Sequence, residues 1–283
     1  MQRRTVLRVL PALAGCAGAA SARNVPRIRI GLTAVILADQ AAFLSRWGSY
    51  LSGRTHADVT FTTRESYQEI LDLLFGGHLE AAWVCGYPFV RQRARLELLS
   101  VPLFEGQPLY RSYLIRPMGQ RQKIEGWADL KGRVLAYSDP LSNSGWLVPQ
   151  AQLRQAGLRP GELRRSFFAH GHRNVAEAVA AQLADAGCID GYVWETMRRQ
   201  GMAAAFATEV VWRSESFGFP PLVVQSGMYD AAARRLQSAL AGMDQDALGK
   251  SLLQALNLDG FAQEPASIFA SIERLADEQA QAG

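Results

Sequence analysis

The sequence predicts an α/β protein of two lobes, each a parallel-rich sheet flanked by helices, with a ligand cleft between them. Three observations carry this expectation. Strand-like and helix-like segments alternate from residue 27 onward, the pattern of a sheet covered by helices. The alternation ends near Pro117 and then restarts. A late extended run, EVVWRSESFGFPPLVVQS, carries the chain back out of the second unit. The expected division is residues 27–115 plus 213–283 for lobe 1 and 116–212 for lobe 2.

In the first unit, RIRIGLTA reads as a strand and residues 39–51 as a helix, with apolar side chains at helical spacing. DVTFTT is a strand. SYQEILDLLFGG is a helix with a capping box, Ser66 at the cap and Glu69 three residues on, closed by Gly76 and Gly77. AAWVCG is a strand, FVRQRARL a helix, and LLSVPLF and LYRSYLIRP are strands. In the second unit WADLKG leads into the strand RVLAYS, and a helix follows through Ala156. RRSFFAH is a strand, residues 175–186 a helix and CIDGYVW a strand. Two amphipathic helices, near 229–240 and 245–256, precede a C-terminal helix.

The 283 residues are 48% apolar and 20% charged, enough for one large or two medium domains. Thirty basic against 26 acidic residues give +4. Arg3, Arg4 and Arg8 lie in the leading segment, and its removal leaves 4 − 3 = +1. No basic run follows, which argues against a nucleic-acid partner. The leader MQRRTVLRVLPALAGCAGAASA has the basic, apolar, small-residue order of an export signal over residues 1–22. Arg3-Arg4 resembles a twin-arginine signal, LAGC a lipobox with Cys16 as the lipidated residue, and Ala20-Ser21-Ala22 a simple cleavage site. Export predicts a periplasmic or extracytoplasmic location, with a membrane anchor if Cys16 is lipidated. Beyond the leader no apolar run approaches ~18 residues. Cys85 and Cys188 fall in strand-like runs at opposite sheet ends and read as buried thiols.

The stretch SDPLSNSGWLVP, Ser138 to Pro149, follows a strand and opens a helix. Ser and Asn there suit an N-cap. They also suit an anion seat, since a helix start presents unpaired N–H groups and a favourable dipole. Two further polar strand ends, Ser66-Tyr67 and His170-Gly171-His172, would converge on the same cleft, because ligands of open α/β sheets bind beyond the strands' carboxyl ends. That convergence favours the seat.

With these residues in view, the chain resembles the phosphate-, phosphite- and phosphonate-binding proteins of ABC transporters, within the type II periplasmic binding-protein fold. The resemblance spans about residues 27 to 260 and is most specific at DPLSNSGWLVP. TTRESYQEI, LEAAWVCG, QPLYRSYLI, HGHRNVAEAVA and CIDGYVWET support it. It implies capture of a small anion by two closing lobes, with no chemistry done on it, no cofactor, and a permease or membrane sensor as partner of a monomeric protein. It implies ligand contacts at Tyr67, Tyr110, Ser142, Asn143, Ser144, Gly145 and His172, Asn143 standing where the family has threonine. The family's acids for an ammonium tail are not matched. Met197 and Pro220 stand near those places, with Trp194 and Glu195 as candidate wall, so the tail is expected not to be cationic.

The residues give other functions less support. His170 and His172 lack carboxylate or thiolate partners at metal-ligand spacing. SNSG lacks the leading glycine of a nucleophile elbow, which argues against a serine hydrolase. A Cys85–His172 pair across the cleft is the remaining enzymatic option. Asp39-Gln40 suits either a cleft contact or an exposed helix start.

Overall fold

A computed structural model describes residues 25–33, 41–119 and 124–282. The leader with Cys16, and Asp39-Gln40, lie outside these. The strands are β1 Arg27–Leu32, β2 Asp58–Thr63, β3 Ala81–Trp83, β4 Leu96–Leu103, β5 Leu109–Pro117, β6 Val134–Tyr137, β7 Arg165–Phe168, β8 Ala186–Asp190, β9 Thr208–Gly218, β10 Leu222–Gln225 and β11 Gly260–Ala262. The helices are α1 Ala41–Thr55, α2 Tyr67–Phe75, α3 Gly86–Arg91, α4 Val148–Gln155, α5 His172–Ala180, α6 Gly191–Arg199, α7 Ala203–Phe206, α8 Ala231–Ala241, α9 Ala247–Leu256 and α10 Ala270–Ala282.

Two sheets form. The first has the order β11-β4-β10-β3-β1-β2 and the second β7-β6-β8-β5-β9. In each, the parallel part is three strands: β3-β1-β2 in the first and β7-β6-β8 in the second. The remaining pairings are antiparallel. The two extended crossings, β5 and β9, pair with each other along most of their length and belong to the second sheet. By sheet membership the chain therefore passes between lobes at residues 105–108 and 219–221, earlier and later than the expected boundaries at 115/116 and 212/213. The two strands pair along the length of β5, and their prolines fall outside the paired interior: Pro117 ends β5 and Pro220 lies beyond β9.

The first lobe packs around Trp47 of α1, fully buried and stacked on Phe61 at 4.6 Å, with Trp83 edge-on at 6.3 Å. The second has its own cluster of Leu114, Leu130, Leu135 and Cys188, beside the Trp127–Trp212 contact at 5.2 Å. Between the lobes, Phe104, Tyr110, Tyr192 and Phe219 stack edge to face, and Tyr192 donates from its hydroxyl to Leu256 O at 2.5 Å. Helix α10 leans on α3 and α4, with Phe269 against Phe89 at 5.0 Å.

Two segments differ from the sequence expectation in ways that matter at the cleft. CIDGYVW is strand only to Asp190. Asp190 Oδ1 then accepts the Val193 N–H at 3.3 Å, so GYVW is the first turn of α6. Its apolar residues are buried by packing at a helix start, which mimics a strand pattern. Helix α5 begins at His172, not near 175, because Gly171 turns the chain at φ 140°, a conformation open to glycine. Cys85 and Cys188 are both free and buried. No helix among the described residues is long and apolar enough to cross a membrane.

The capping box expected at α2 is present. Ser66 Oγ accepts the Glu69 N–H at 3.2 Å and Glu69 Oε2 accepts the Ser66 N–H at 3.2 Å. This cap sets the first turn that carries Tyr67. Ser66→Ala should therefore lower unfolding free energy by about 1 kcal/mol in a denaturant titration with unchanged slope. An unchanged midpoint would show that the cap does not hold the turn.

Candidate functional site

The site is built at the carboxyl end of β6. Ser138 follows the strand, and a wide, π-type turn covers Asn143–Leu147 before α4 continues it. Leu147 N–H bonds Ser142 O at 3.0 Å, five residues back, and Gly145 N–H bonds Ser142 Oγ at 2.9 Å. So Ser142 is the cap the sequence suggested. It is also more, because the turn presses against the strand end. A Cβ on Gly145 would lie 1.8 Å from Ser138 Oγ, so only glycine fits. Ser138 N–H in turn bonds Gly145 O at 3.3 Å.

The expected residues Tyr67, Tyr110, Ser142, Asn143, Ser144, Gly145 and His172 are all buried. Tyr67, at the start of α2, donates its N–H to Asp139 Oδ2 at 3.4 Å, across from one lobe to the other. Asn143 Nδ2 donates to the Tyr110 hydroxyl at 3.0 Å. Asn143 N–H donates to Cys85 Sγ at 3.2 Å, and that sulfur lies 4.0 Å from the Tyr110 hydroxyl. Ser112 Oγ, on the same face of β5 as Tyr110, donates to Ser144 O at 2.7 Å. The turn from lobe 2 therefore meets α2 and the end of β3 from lobe 1.

Three polar atoms of this turn are buried without a hydrogen-bond partner: Ser138 Oγ, Asn143 Oδ1 and Ser144 Oγ. The other two such atoms among the described residues, Trp47 Nε1 and Trp127 Nε1, sit alone in the cores. An orphaned buried polar group costs about 1–3 kcal/mol, so two hydroxyls and an amide oxygen in one place mark a position shaped for a polar group.

His172 lies at the start of α5, which Gly171 joins to the site through its N–H to Ser138 O at 3.2 Å. Nδ1 of His172 accepts the Asp190 N–H at 3.0 Å, so Nε2 carries the ring proton. Burial drives its pKa down to about 3. It is a neutral donor. Burial raises the Tyr67 and Tyr110 phenols well above their ordinary values and the Cys85 thiol to about 11. The sulfur of Cys85 meets Asn143 N–H and the Tyr110 hydroxyl, and His172 meets Asp190, so the Cys85–His172 pair read from the sequence is not a hydrogen-bonded pair among these contacts.

Trp194 and Glu195 are not brought to this cluster. Trp194 Nε1 donates to Thr208 Oγ1 at 3.1 Å, and Glu195 Oε1 accepts from the Tyr113 hydroxyl at 3.3 Å. Tyr113 follows Ser112 on β5 and so faces the opposite side of the sheet from Tyr110. Their displacement follows from α6: once Asp190 starts a helix, Trp194 and Glu195 turn toward Tyr113. Three residues of the site were not anticipated: Cys85 as a contact, and the carboxylates of Asp139 and Asp190, both buried. Asp139 stands in the DP of the turn motif, which was a visible signal. Asp190 gave no such signal, because CIDGYVW reads as one strand. Among the described residues no cluster of His, Cys, Asp and Glu could hold a metal ion.

The His172 assignment predicts a single imidazole state. Nitrogen-15 NMR of the folded protein should show a neutral ring with the proton on Nε2 from neutral pH down to about pH 4. Because its folded pKa is depressed below the unfolded value, His172 contributes stability above that value that is lost as pH falls toward 3. A ring that titrates near 6.5 would contradict the burial described.

Residues 34–266 match the family model described as the periplasmic substrate-binding protein of ABC phosphonate transporters. The chain is 26% identical over 243 residues to the phosphate-import protein PhnD of Mycolicibacterium smegmatis, across 81% of this chain and 71% of that protein. Its fold is similar to the binding-protein component of an ABC phosphonate transporter from Pseudomonas aeruginosa, with TM-score 0.79 and 21% identity over 89% and 86% of the two chains. It is also similar to PhnD1 of Prochlorococcus marinus in complex with methylphosphonate, with TM-score 0.77 and 18% identity over 90% and 98%. The two-sheet architecture is that of the type II periplasmic binding proteins, and the chain belongs to the periplasmic substrate-binding proteins of ABC phosphonate transporters.

Proposed function

We propose that this protein captures a small tetrahedral oxyanion, phosphonate-, phosphite- or phosphate-like, at the turn Ser142–Gly145, and carries it to an ABC importer by closing two lobes on it. The observation that supports this best is the set of three orphaned polar atoms, Ser138 Oγ, Asn143 Oδ1 and Ser144 Oγ, at one helix start. An oxyanion presents acceptors in several directions. The two serine hydroxyls can donate to it, and the Asn143 amide can turn its nitrogen inward. Tyr110 reaches Asn143 from the crossing strand, Tyr67 meets Asp139 through its backbone N–H, and His172 keeps an Nε2–H to donate. The relatives' ligands, phosphate for one and methylphosphonate for the other, are of this chemical class.

Closure follows from how the donors are divided. Tyr67 and Cys85 belong to the first lobe, and Ser138, Ser142–Gly145 and His172 to the second. An anion held by both must draw the lobes together, with bending at residues 105–108 and 219–221, where the chain passes between sheets. The tail is read as not cationic, because the acids at the turn already accept backbone N–H groups, Asp139 from Leu141 at 2.7 Å and Tyr67 at 3.4 Å and Asp190 from Val193 at 3.3 Å, and Glu195 accepts from Tyr113 instead.

Calorimetric titration with phosphate, phosphite, methylphosphonate and 2-aminoethylphosphonate tests this. At least one of the first three should bind, and Ser144→Ala should weaken it roughly tenfold to a hundredfold, the loss of one hydrogen bond to a charged group. If none binds, or Ser144→Ala binds as wild type, the seat is misplaced.

A further inference from the structure

Beside the polar contacts of the seat, the two lobes meet through a pair of rings. Trp146 belongs to the wide turn of the second lobe and Tyr87 to α3 of the first. Their planes lie 25° apart with centroids at 6.1 Å, a stacked pair. Tyr87 is buried and Trp146 half-buried. The Arg91 guanidinium lies 5.7 Å from the Tyr87 ring and adds a second partner from α3 itself. Each ring is tied to the seat by a short piece of chain. Trp146 follows Gly145, which lets the turn press on the end of β6. Tyr87 stands two residues after Cys85, whose sulfur accepts the Asn143 N–H at 3.2 Å. Moving the turn away from Cys85 therefore moves Trp146 away from Tyr87.

Helix α10 backs the same contact, packing on α3 and on the wide turn. Ile272, fully buried, lies on Gly86, where a Cβ would stand 2.5 Å from Ile272 Cδ1. Glu273 pairs with Arg93 of the first lobe at 3.4 Å, and Gln279 accepts from Arg154 of α4 in the second. The polar groups of the seat exchange partners when an oxyanion enters. The stack has protein on both sides and needs closure alone.

On the reading that an oxyanion is captured between closing lobes, we propose that the Trp146–Tyr87 stack is the latch of the closed form. The two are positioning residues: they set how long the lobes stay shut, and so how slowly the ligand leaves, by holding the turn against the first lobe. A latch that forms after the ligand has entered acts on release and leaves association unchanged. Cys85 supplies a readout that needs no ligand. It is 1% exposed with its sulfur against Asn143 of the other lobe, so opening uncovers it. Cys188 lies fully buried in the core of the second lobe and is uncovered only when that lobe unfolds.

The full chain, without ligand, is treated with a thiol reagent, and each cysteine is followed by peptide mass mapping. Trp146→Ala and Tyr87→Ala should each label Cys85 about tenfold faster than wild type, the order of one stacked pair, with Cys188 unchanged. The double variant should gain no further tenfold, because both single changes remove the same contact. Trp146→Phe and Tyr87→Phe keep a ring on each side and should stay within about threefold of wild type. In stopped flow, release of methylphosphonate should quicken by the same factor with its association unchanged. Cys85 labelling that stays at the wild-type rate in both alanine variants overturns the proposal. So does a rise shared equally by Cys188, which is general loosening, or a roughly hundredfold rise in the double variant, which makes the two effects independent. Slower association with unchanged release also overturns it. If phosphate, phosphite and methylphosphonate all fail to bind wild type, the oxyanion reading fails, and Cys85 labelling still decides the latch. Should one alanine variant fail to fold, the other, on the opposite lobe, carries the test.

Discussion

The contact on which the cleft depends is the one between Gly145 and the end of β6. No side chain can stand at residue 145, because Ser138 Oγ occupies the place its Cβ would take. This lets the wide turn lie flat against the strand end. Its caps and orphaned groups then face the other lobe. A regular helix start set further out would expose Ser142 and Ser144 to water, where their hydroxyls would cost nothing and select nothing. Pressed against the strand, they are fully buried.

The two lobes meet through a few polar contacts around that turn and a larger apolar contact behind it. Asn143 touches Cys85 and Tyr110, and Asp139 touches Tyr67. Behind Tyr110, the rings of Phe219, Tyr192 and Phe104 join the lobes. The polar contacts are the ones an anion would replace or join. The aromatic cluster lies where the chain passes between sheets, so polar groups stand at the mouth and aromatic packing behind them.

Much of this was legible in the sequence where a local pattern carries it. The capping box of α2, the strand before SDPLSNSG and the seven buried cleft residues depend on caps, alternation and the family's motif. Less legible was anything fixed by packing between segments far apart. CIDGYVW has the aromatic run of a strand, and only the Asp190 cap, read after the fact, shows that it turns. That single boundary moved Trp194 and Glu195 to the far face of β5. Cys85 and Asp190 enter the site because β3 and β8 end opposite each other across the lobes, which no spacing within either strand reveals. The lobe boundaries shifted for a related reason, since β5 and β9 pair more extensively with each other than either suggests alone.

An oxyanion in this seat would meet the orphaned side chains of the turn, beside its backbone amides. Nitrogen-15 and proton NMR of Asn143, Ser144 and Gly145 amides, followed as methylphosphonate is added, measures that meeting directly. Binding should move at least one of these amide protons strongly downfield, as charge-assisted hydrogen bonds do, with smaller changes at residues 105–108 and 219–221. Saturable binding that leaves all three amides unmoved would contradict it.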